Sequence, residues 1–395
     1  MESSTTVAVP FDIIQCIIDA LAIDKDTRSL KAFSETCHTL LPLCRKHTFA
    51  TVHIPPKSDN SRHFNHLLST RPDIAQYAQC LQCCLGNLSS KDQQVLDALR
   101  KHSHLRSIDL WPEDEDRRGI ASNWKGFPAS VKSSLLSLVQ LPTITHVDIG
   151  CFVNFPATPF LYCHSLVDLQ IERLYLTPPE VECAPIIPRP VSLYAGSDSC
   201  DALNVLRNAG PDGSFVDFSL LRRASFEVEN MGGILIVQEI IAATTQLQFL
   251  SLSSEPVTLA GLGASLKANS CWTLNSATFR IMVEGDDYDP LCGLSIELRT
   301  LSGINVLEEL RLFIDVQTDA PCRTQSDDWA DFDAVLTGPG FSSLRRVSVE
   351  IEWASFGRNK LEVENALKSL TAEQFPRLSE SVTIRFEFFA QHVYI

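Results

Sequence analysis

Apolar residues recur at three- and four-residue steps in VPFDIIQCIIDAL, residues 9–21, where Ile14, Ile17, Ile18 and Leu21 align with Phe11 and oppose Asp12, Gln15 and Asp19. That spacing predicts an amphipathic helix with one face built for burial. Pro10 suits its first turn because the missing N–H would be unpaired there anyway, and Asp12 complements the positive helix end. A second helix is predicted after Asp26, a candidate N-cap, with Leu30, Phe33 and Cys37 on one face. A third runs from near Pro42 and Leu43 to about Phe49. So small a helical unit buries a limited share of its own apolar surface, so part of the stripe is expected to meet a partner or the following domain. A short strand, Ala50–Ile54, then enters PPKSDNSR, a turn-rich hinge at 55–62 that reads as a domain boundary.

Beyond the hinge the pattern becomes an apolar residue, two variable, one apolar, one variable, one apolar. It fits Leu105/Ile108/Leu110, Ile144/Val147/Ile149, Leu166/Leu169/Ile171, Leu221/Ala224/Phe226, Leu247/Leu250/Leu252, Leu274/Ala277/Phe279, Leu307/Leu310/Leu312 and Leu344/Val347/Val349. An imperfect ninth copy lies in RLSESVTIRF, and VSLYAG supplies a strand in the long gap after Leu166. LRRASFE at 221–227 and LRRVSVE at 344–350 share five of seven residues. Several copies follow helix-like segments, as in SVKSSLLSLVQLPTITHVDI and GGILIVQEIIAATTQLQFLSL, where the period changes from helical to alternating. Starts from Leu221 to Leu344 fall 26, 27, 33 and 37 residues apart, bracketing leucine-rich-repeat length without the Asn that closes the typical turn. The predicted fold class is α/β: a short three-helix unit followed by an irregular leucine-rich-repeat solenoid with a parallel β-sheet. The expected domains are a disordered tail at 1–8, the helical unit at 9–54, the hinge at 55–62 and the repeats at 63–395. Alternate strand residues would point out from the sheet, including Asp168, Gln170, Ser225, Glu227, Glu309, Arg311, Arg346 and Ser348. These are the candidate target-binding positions.

Charge and composition narrow the partners. With 33 basic and 48 acidic residues the net charge is −15, which repels phosphate backbones, so nucleic acid is not expected. The cluster Glu113, Asp114, Glu115 and Asp116 reads as a solvated loop able to face a basic partner. Thirteen cysteines, several in helix-like apolar patterns (Cys16, Cys37, Cys44), suit packed thiols in a reducing compartment. MESSTTVAVP has neither the basic start nor the apolar run of a targeting signal, and no stretch has the length of a membrane helix. A cytoplasmic or nuclear protein is expected, without membrane contact.

The segments VPFDIIQCIIDAL and LKAFSETCHTLLPLCRKHTF resemble an F-box, in the F-box-like form of mushroom-forming fungi. PDGSFVDFSLLRRASFEVE, DDYDPLCGLSIELRTL and TGPGFSSLRRVSVEIE resemble the repeat domains that follow it there. The resemblance implies that the helices dock on the Skp-type adaptor of a cullin–RING ubiquitin ligase. By position it assigns that docking to Val9, Pro10, Ile14, Ile17, Ile18 and Leu21, with Cys37, Leu41 and Phe49 inside the unit; Val9 and Phe49 stand where the family has Leu and often Trp. The implied function is a non-catalytic substrate receptor that also holds a protein target. The alternative is a leucine-rich-repeat scaffold whose helices only cap it and never meet a ligase.

No pattern points to chemistry. Cys80 and Cys83 form a Cys-x-x-Cys pair, but no second half follows at zinc spacing, so no metal is expected. DDYD at 286–289 and DDWADFD at 327–333 lack the Gly and Glu of a calcium loop. GLG and MGG lack the Lys-Ser/Thr of a phosphate loop, and no G-x-S-x-G elbow occurs. Neither a cofactor nor an enzymatic activity is expected.

Overall fold

The computed structural model describes residues 9–55, 64, 66–68, 70–86, 90–102, 104–113, 121–178, 186–208, 214–255, 257–283, 289–317, 327–354 and 360–393. The chain divides into two compact units, Met1–Cys151 and Phe152–Ile395. The expected tail at 1–8, all but residue 55 of the expected hinge, and Asp114–Asp116 lie outside the described residues.

The first unit opens with α1 (Phe11–Ile23), α2 (Thr27–Thr36) and α3 (Leu41–Thr48). Pro10 stands at the N-cap, one residue before the first turn. Asp26 caps α2 as its position predicts, accepting the Ser29 N–H at 3.0 Å, and the hydrogen bonds from Ser29 hold its carboxyl below the usual range. Ile18, Leu30, Leu40 and Cys44 form the centre of this bundle, with Ile14, Leu21 and Phe33 packed against them. Burying each large side chain stabilises the fold by roughly 2 kcal/mol. Asp19 and His47 meet at 2.6 Å and tie α1 to α3.

Two internal assignments change. Cys37 sits just past the end of α2 and is exposed, because the helix ends at Thr36 and the extended backbone at Cys37 turns the thiol away from the face that Leu30 and Phe33 share. Leu40, buried, takes the central place expected of Leu41, which is half-buried.

The same unit continues through β1 (Thr51–Ile54), β2 (Cys80–Leu85), α4 (Ser90–His102), β3 (Ser107–Pro112), β4 (Ser122–Asn123), α5 (Ala129–Val139) and the first part, to Cys151, of β5 (His146–Pro156). β1, β2, β3 and β5 pair in parallel, aligning Val52, Leu81, Ile108 and Val147 as one buried row. The strands on either side of the expected hinge thus belong to one sheet. CLQCCL, in which the sequence offered half a metal site, is strand β2, where Cys80 and Cys83 fall on opposite faces.

In the second unit β6 (Asp168–Thr177), β7 (Ser192–Ala195), β8 (Arg223–Val228), β9 (Phe249–Ser254), β10 (Ser276–Val283), β11 (Glu309–Val316), β12 (Arg346–Trp353) and β13 (Arg385–His392) pair in parallel in chain order. Parallel neighbours need long crossovers. These contain α6 (Cys200–Asn208), α7 (Met231–Ala243), α8 (Leu262–Asn269), α9 (Leu294–Thr300), α10 (Asp327–Leu336), α11 (Lys360–Glu373) and α12 (Pro376–Glu380). The second apolar position of each repeat forms one continuous buried row: Leu169, Leu193, Ala224, Leu250, Ala277, Leu310 and Val347. VSLYAG supplies β7, as its place in the gap predicts. No described helix is long and apolar enough to cross a membrane.

Two buried carboxylates lock helices together in this unit. Glu297 of α9 accepts the N–H groups of Gly261 (3.1 Å) and Gly263 (2.7 Å) at the start of α8. Asp333 of α10 accepts those of Arg377 (3.1 Å) and Leu378 (2.8 Å) at the start of α12. Burial lifts the Asp333 carboxyl above its usual range against the lowering effect of those two bonds. Asp333→Ala leaves both N–H groups without this acceptor and is expected to cost about 2–3 kcal/mol, read as a lower urea midpoint. Gly263 lets α8 approach α9, since a Cβ there would collide with the backbone oxygen of Glu297 and the hydroxyl of Thr300. Gly263→Ala is therefore expected to destabilise the unit by about 1–3 kcal/mol, with a lower melting temperature.

Candidate functional site

Helix α1 is apolar on two faces. Its inner face, with Ile18 fully buried and Ile14 and Leu21 half-buried, belongs to the bundle's own core. Its outer face leaves Ile13 48%, Ile17 41% and Ile23 79% exposed, and at the helix start Val9 and Phe11 are each 53% exposed. Ile13, Cys16, Ile17, Ala20 and Ile23 lie at i, i+3, i+4, i+7 and i+10, so these exposed residues form one strip and not scattered points. Contiguous exposed apolar surface marks a contact site.

This divides the residues assigned to docking. Val9, Pro10 and Ile17 are exposed, whereas Ile14, Ile18 and Leu21 turn inward. The expected single stripe of Ile14, Ile17, Ile18, Leu21 and Phe11 is thus two stripes. Adjacent residues on a helix point about 100° apart, so the pairs Ile13-Ile14 and Ile17-Ile18 each put one member on either face. Ile13 is the strip residue that sequence reasoning passed over.

The second surface is the polar face of the sheet in the second unit. All eight candidate positions lie on it, half-buried, and the strand register sorts them into rows. Asp168, Glu309 and Arg346 share the first row with Ser192, Arg223, Phe249, Ser276 and Arg385. Gln170, Ser225, Arg311 and Ser348 share the second with Tyr194, Ser251, Thr278 and Glu387. Glu227 lies in the third, with Ser253, Arg280, Phe313, Glu350 and Phe389.

Most of these side chains are engaged. Asp168 accepts from Gln170 at 3.1 Å, and Glu309 accepts the Arg311 guanidinium at 2.8 and 3.0 Å. Arg346 donates to Glu387 at 2.8 Å, which holds the Arg346 guanidinium higher and the Glu387 carboxyl lower than usual. Glu227 accepts the Tyr194 hydroxyl at 2.9 Å and the Ser197 N–H and hydroxyl at 3.1 and 2.7 Å. Its carboxylate is thus aimed by groups from a neighbouring strand and the turn after it.

Beside Glu227 lies a concavity of about 470 Å³, which Ser225 and Glu227 line alone among the eight candidate positions. Its floor is made by Ser225, Ser251, Ser253 and Thr278, and Arg280, Met282, Phe313 and Asp315 stand at one side. Arg280 donates to Asp315 at 2.7 Å, a bond that raises the guanidinium's pKa further. The Glu229 carboxyl, on the opposite side, is pushed above its usual range by burial first, then by a hydrogen bond and repulsion from Asp198, and by Glu255. Reading the rows across the aligned repeats would have found Arg280 and Phe313, because both occupy the place Glu227 holds in its repeat.

Several of the described thiols are shielded from ionisation. Burial pushes Cys163 up to about 12 and Cys200 up to about 11, and pushes Cys83 higher than either. Cys37 goes the other way, its thiolate favoured chiefly by the Thr39 hydroxyl at 3.1 Å and then by the Leu40 N–H. Among the described residues no group of three or more His, Cys, Asp or Glu is placed to hold a metal ion. Compared with models of protein families and with curated proteins, the sequence matches none.

Proposed function

We propose that this chain is a non-catalytic substrate receptor of a cullin–RING ubiquitin ligase. The F-box-like helices dock on a Skp-type adaptor, and the polar sheet face of an irregular leucine-rich-repeat solenoid holds a protein target. The observation that carries this reading is the double-faced α1. The bundle already has its own centre at Ile18, yet Val9, Phe11, Ile13, Ile17 and Ile23 remain outside. A helical head serving only as a cap would leave that strip without a role, whereas a docking helix requires it. The resemblance of VPFDIIQCIIDAL to an F-box points to the same partner.

The mechanism is effective concentration. One chain that holds adaptor and target together makes ubiquitin transfer close to intramolecular, and no side chain of the receptor need enter the chemistry. The role places the protein in the cytoplasm or nucleus, where a ligase core and reduced thiols coexist. Co-purification of the full chain with a Skp-type adaptor tests the proposal. A stoichiometric complex that also recruits the cullin is the expected result. A folded chain that captures no adaptor refutes it and favours the repeat scaffold.

A further inference from the structure

We infer that the concavity on the second unit's sheet face receives an arginine or lysine side chain from an extended segment of the target. This deepens the receptor reading, on which the word target rests, but the site itself is defined by three features of the sheet.

Charge on this face is sorted by position along the strands. The first row mixes Arg223, Arg346 and Arg385 with Asp168 and Glu309, while the third and fourth rows hold Glu227, Glu350, Asp315 and Glu352, with Glu229 and Glu255 just past the ends of β8 and β9. Arg280 also stands among these carboxylates, and its Nε is committed to Asp315. A bound segment therefore meets a negative field at the C-terminal ends of the strands, where a cation is attracted and an anion repelled.

The floor is low where that field is strongest. Ser225, Ser251, Ser253 and Thr278 occupy adjacent strands with short side chains, flanked by longer ones at Glu227, Arg280 and Phe313. The resulting space is a slot for one long side chain. Phe313 and Met282 offer an apolar wall for its stem, and the ring face favours a guanidinium or ammonium passing over it.

Glu229 adds a third feature. Its carboxyl is crowded by Asp198 and Glu255, so like charges are held together at the mouth of the slot. A cation placed there relieves the repulsion and replaces lost hydration with charge-assisted hydrogen bonds.

Fluorescence anisotropy on the full chain tests this, using a short fluorescein-labelled peptide with arginine at every third position and a matched peptide with glutamine instead. The arginine peptide is expected to bind, to weaken as salt rises, and to exceed the glutamine peptide. Glu229→Gln with Glu255→Gln should weaken it at least about tenfold, whereas Glu373→Gln with Glu380→Gln, an equal loss of charge at exposed positions on α11 and α12, should change it less than about twofold. Ser253→Arg, which fills the slot with a cation, should also abolish binding and guards against misfolding of the double variant. Equal binding of both peptides, equal loss in the Glu373/Glu380 control, or wild-type binding by Ser253→Arg would each overturn the proposal. Adaptor capture by the same variants separates the two claims: intact capture with no peptide selectivity sinks only the slot, and lost capture by the wild-type chain sinks only the ligase role.

Discussion

Ile13→Asp combined with Ile17→Asp is expected to abolish capture of a Skp-type adaptor while leaving the chain folded. Both side chains lie on the outer strip of α1, 48% and 41% exposed, so the free protein loses little when they become charged. In the proposed complex the same positions would be desolvated, and a carboxylate there would have neither water nor a partner. Buried apolar anchors contribute roughly 2 kcal/mol each, so losing two weakens binding by about a thousandfold. Calorimetric titration of the purified adaptor into both chains measures the change, and circular dichroism checks that the helices persist. Wild-type affinity in the double variant would remove the strip from the interface.

Ile18→Asp should behave in the opposite way. Ile18 is fully buried at the centre of α1–α3 among Leu30, Leu40 and Cys44, with Ile14 and Leu21 packed around them. The substitution gives up roughly 2–3 kcal/mol of apolar burial and places a carboxylate where it must either ionise without solvent or bind a proton. The combined cost, about 4 kcal/mol or more, is at the upper end for a single residue. The expected outcome is loss of amide protection across Phe11–Thr48 with protection retained in the second unit, read by hydrogen exchange. A folded Ile18→Asp variant would mean that α1 is not packed as described. The two substitutions together separate a docking face from a core face on one helix.

The repeated strands were legible because a parallel sheet with helices behind it writes a regular alternation into the chain. Leu221/Ala224/Phe226 and Leu344/Val347/Val349 fall in the strand registers their spacing predicts. β2 does not read as a repeat, since Ala78 and Cys83 stand at two of the pattern's three positions and only Leu81 is a large apolar residue. The final strand reads imperfectly because its inward positions, Phe386 and Phe388, follow Thr383 where the pattern has leucine.

The outward positions were also legible, but their grouping was not. Arg280 and Asp315 are 35 residues apart in sequence and meet only because β10 and β11 pair in register. Glu227 is aimed by Tyr194 and Ser197 across a crossover that periodicity does not encode. On α1 the sequence announced apolar character without its azimuth. Which isoleucine of each adjacent pair faces inward is decided by how α2 and α3 dock, with Asp19 and His47 as one of the ties.

The most direct measurement is hydrogen exchange of the full chain with and without a purified Skp-type adaptor. The receptor account expects slowed exchange in α1 and the residues just before it, with the outer strip at the centre of the footprint and the sheet face of the second unit unchanged. Saturating adaptor that leaves α1 exchanging at its free rate, or protects only other segments, would contradict the claim that this strip is a docking face.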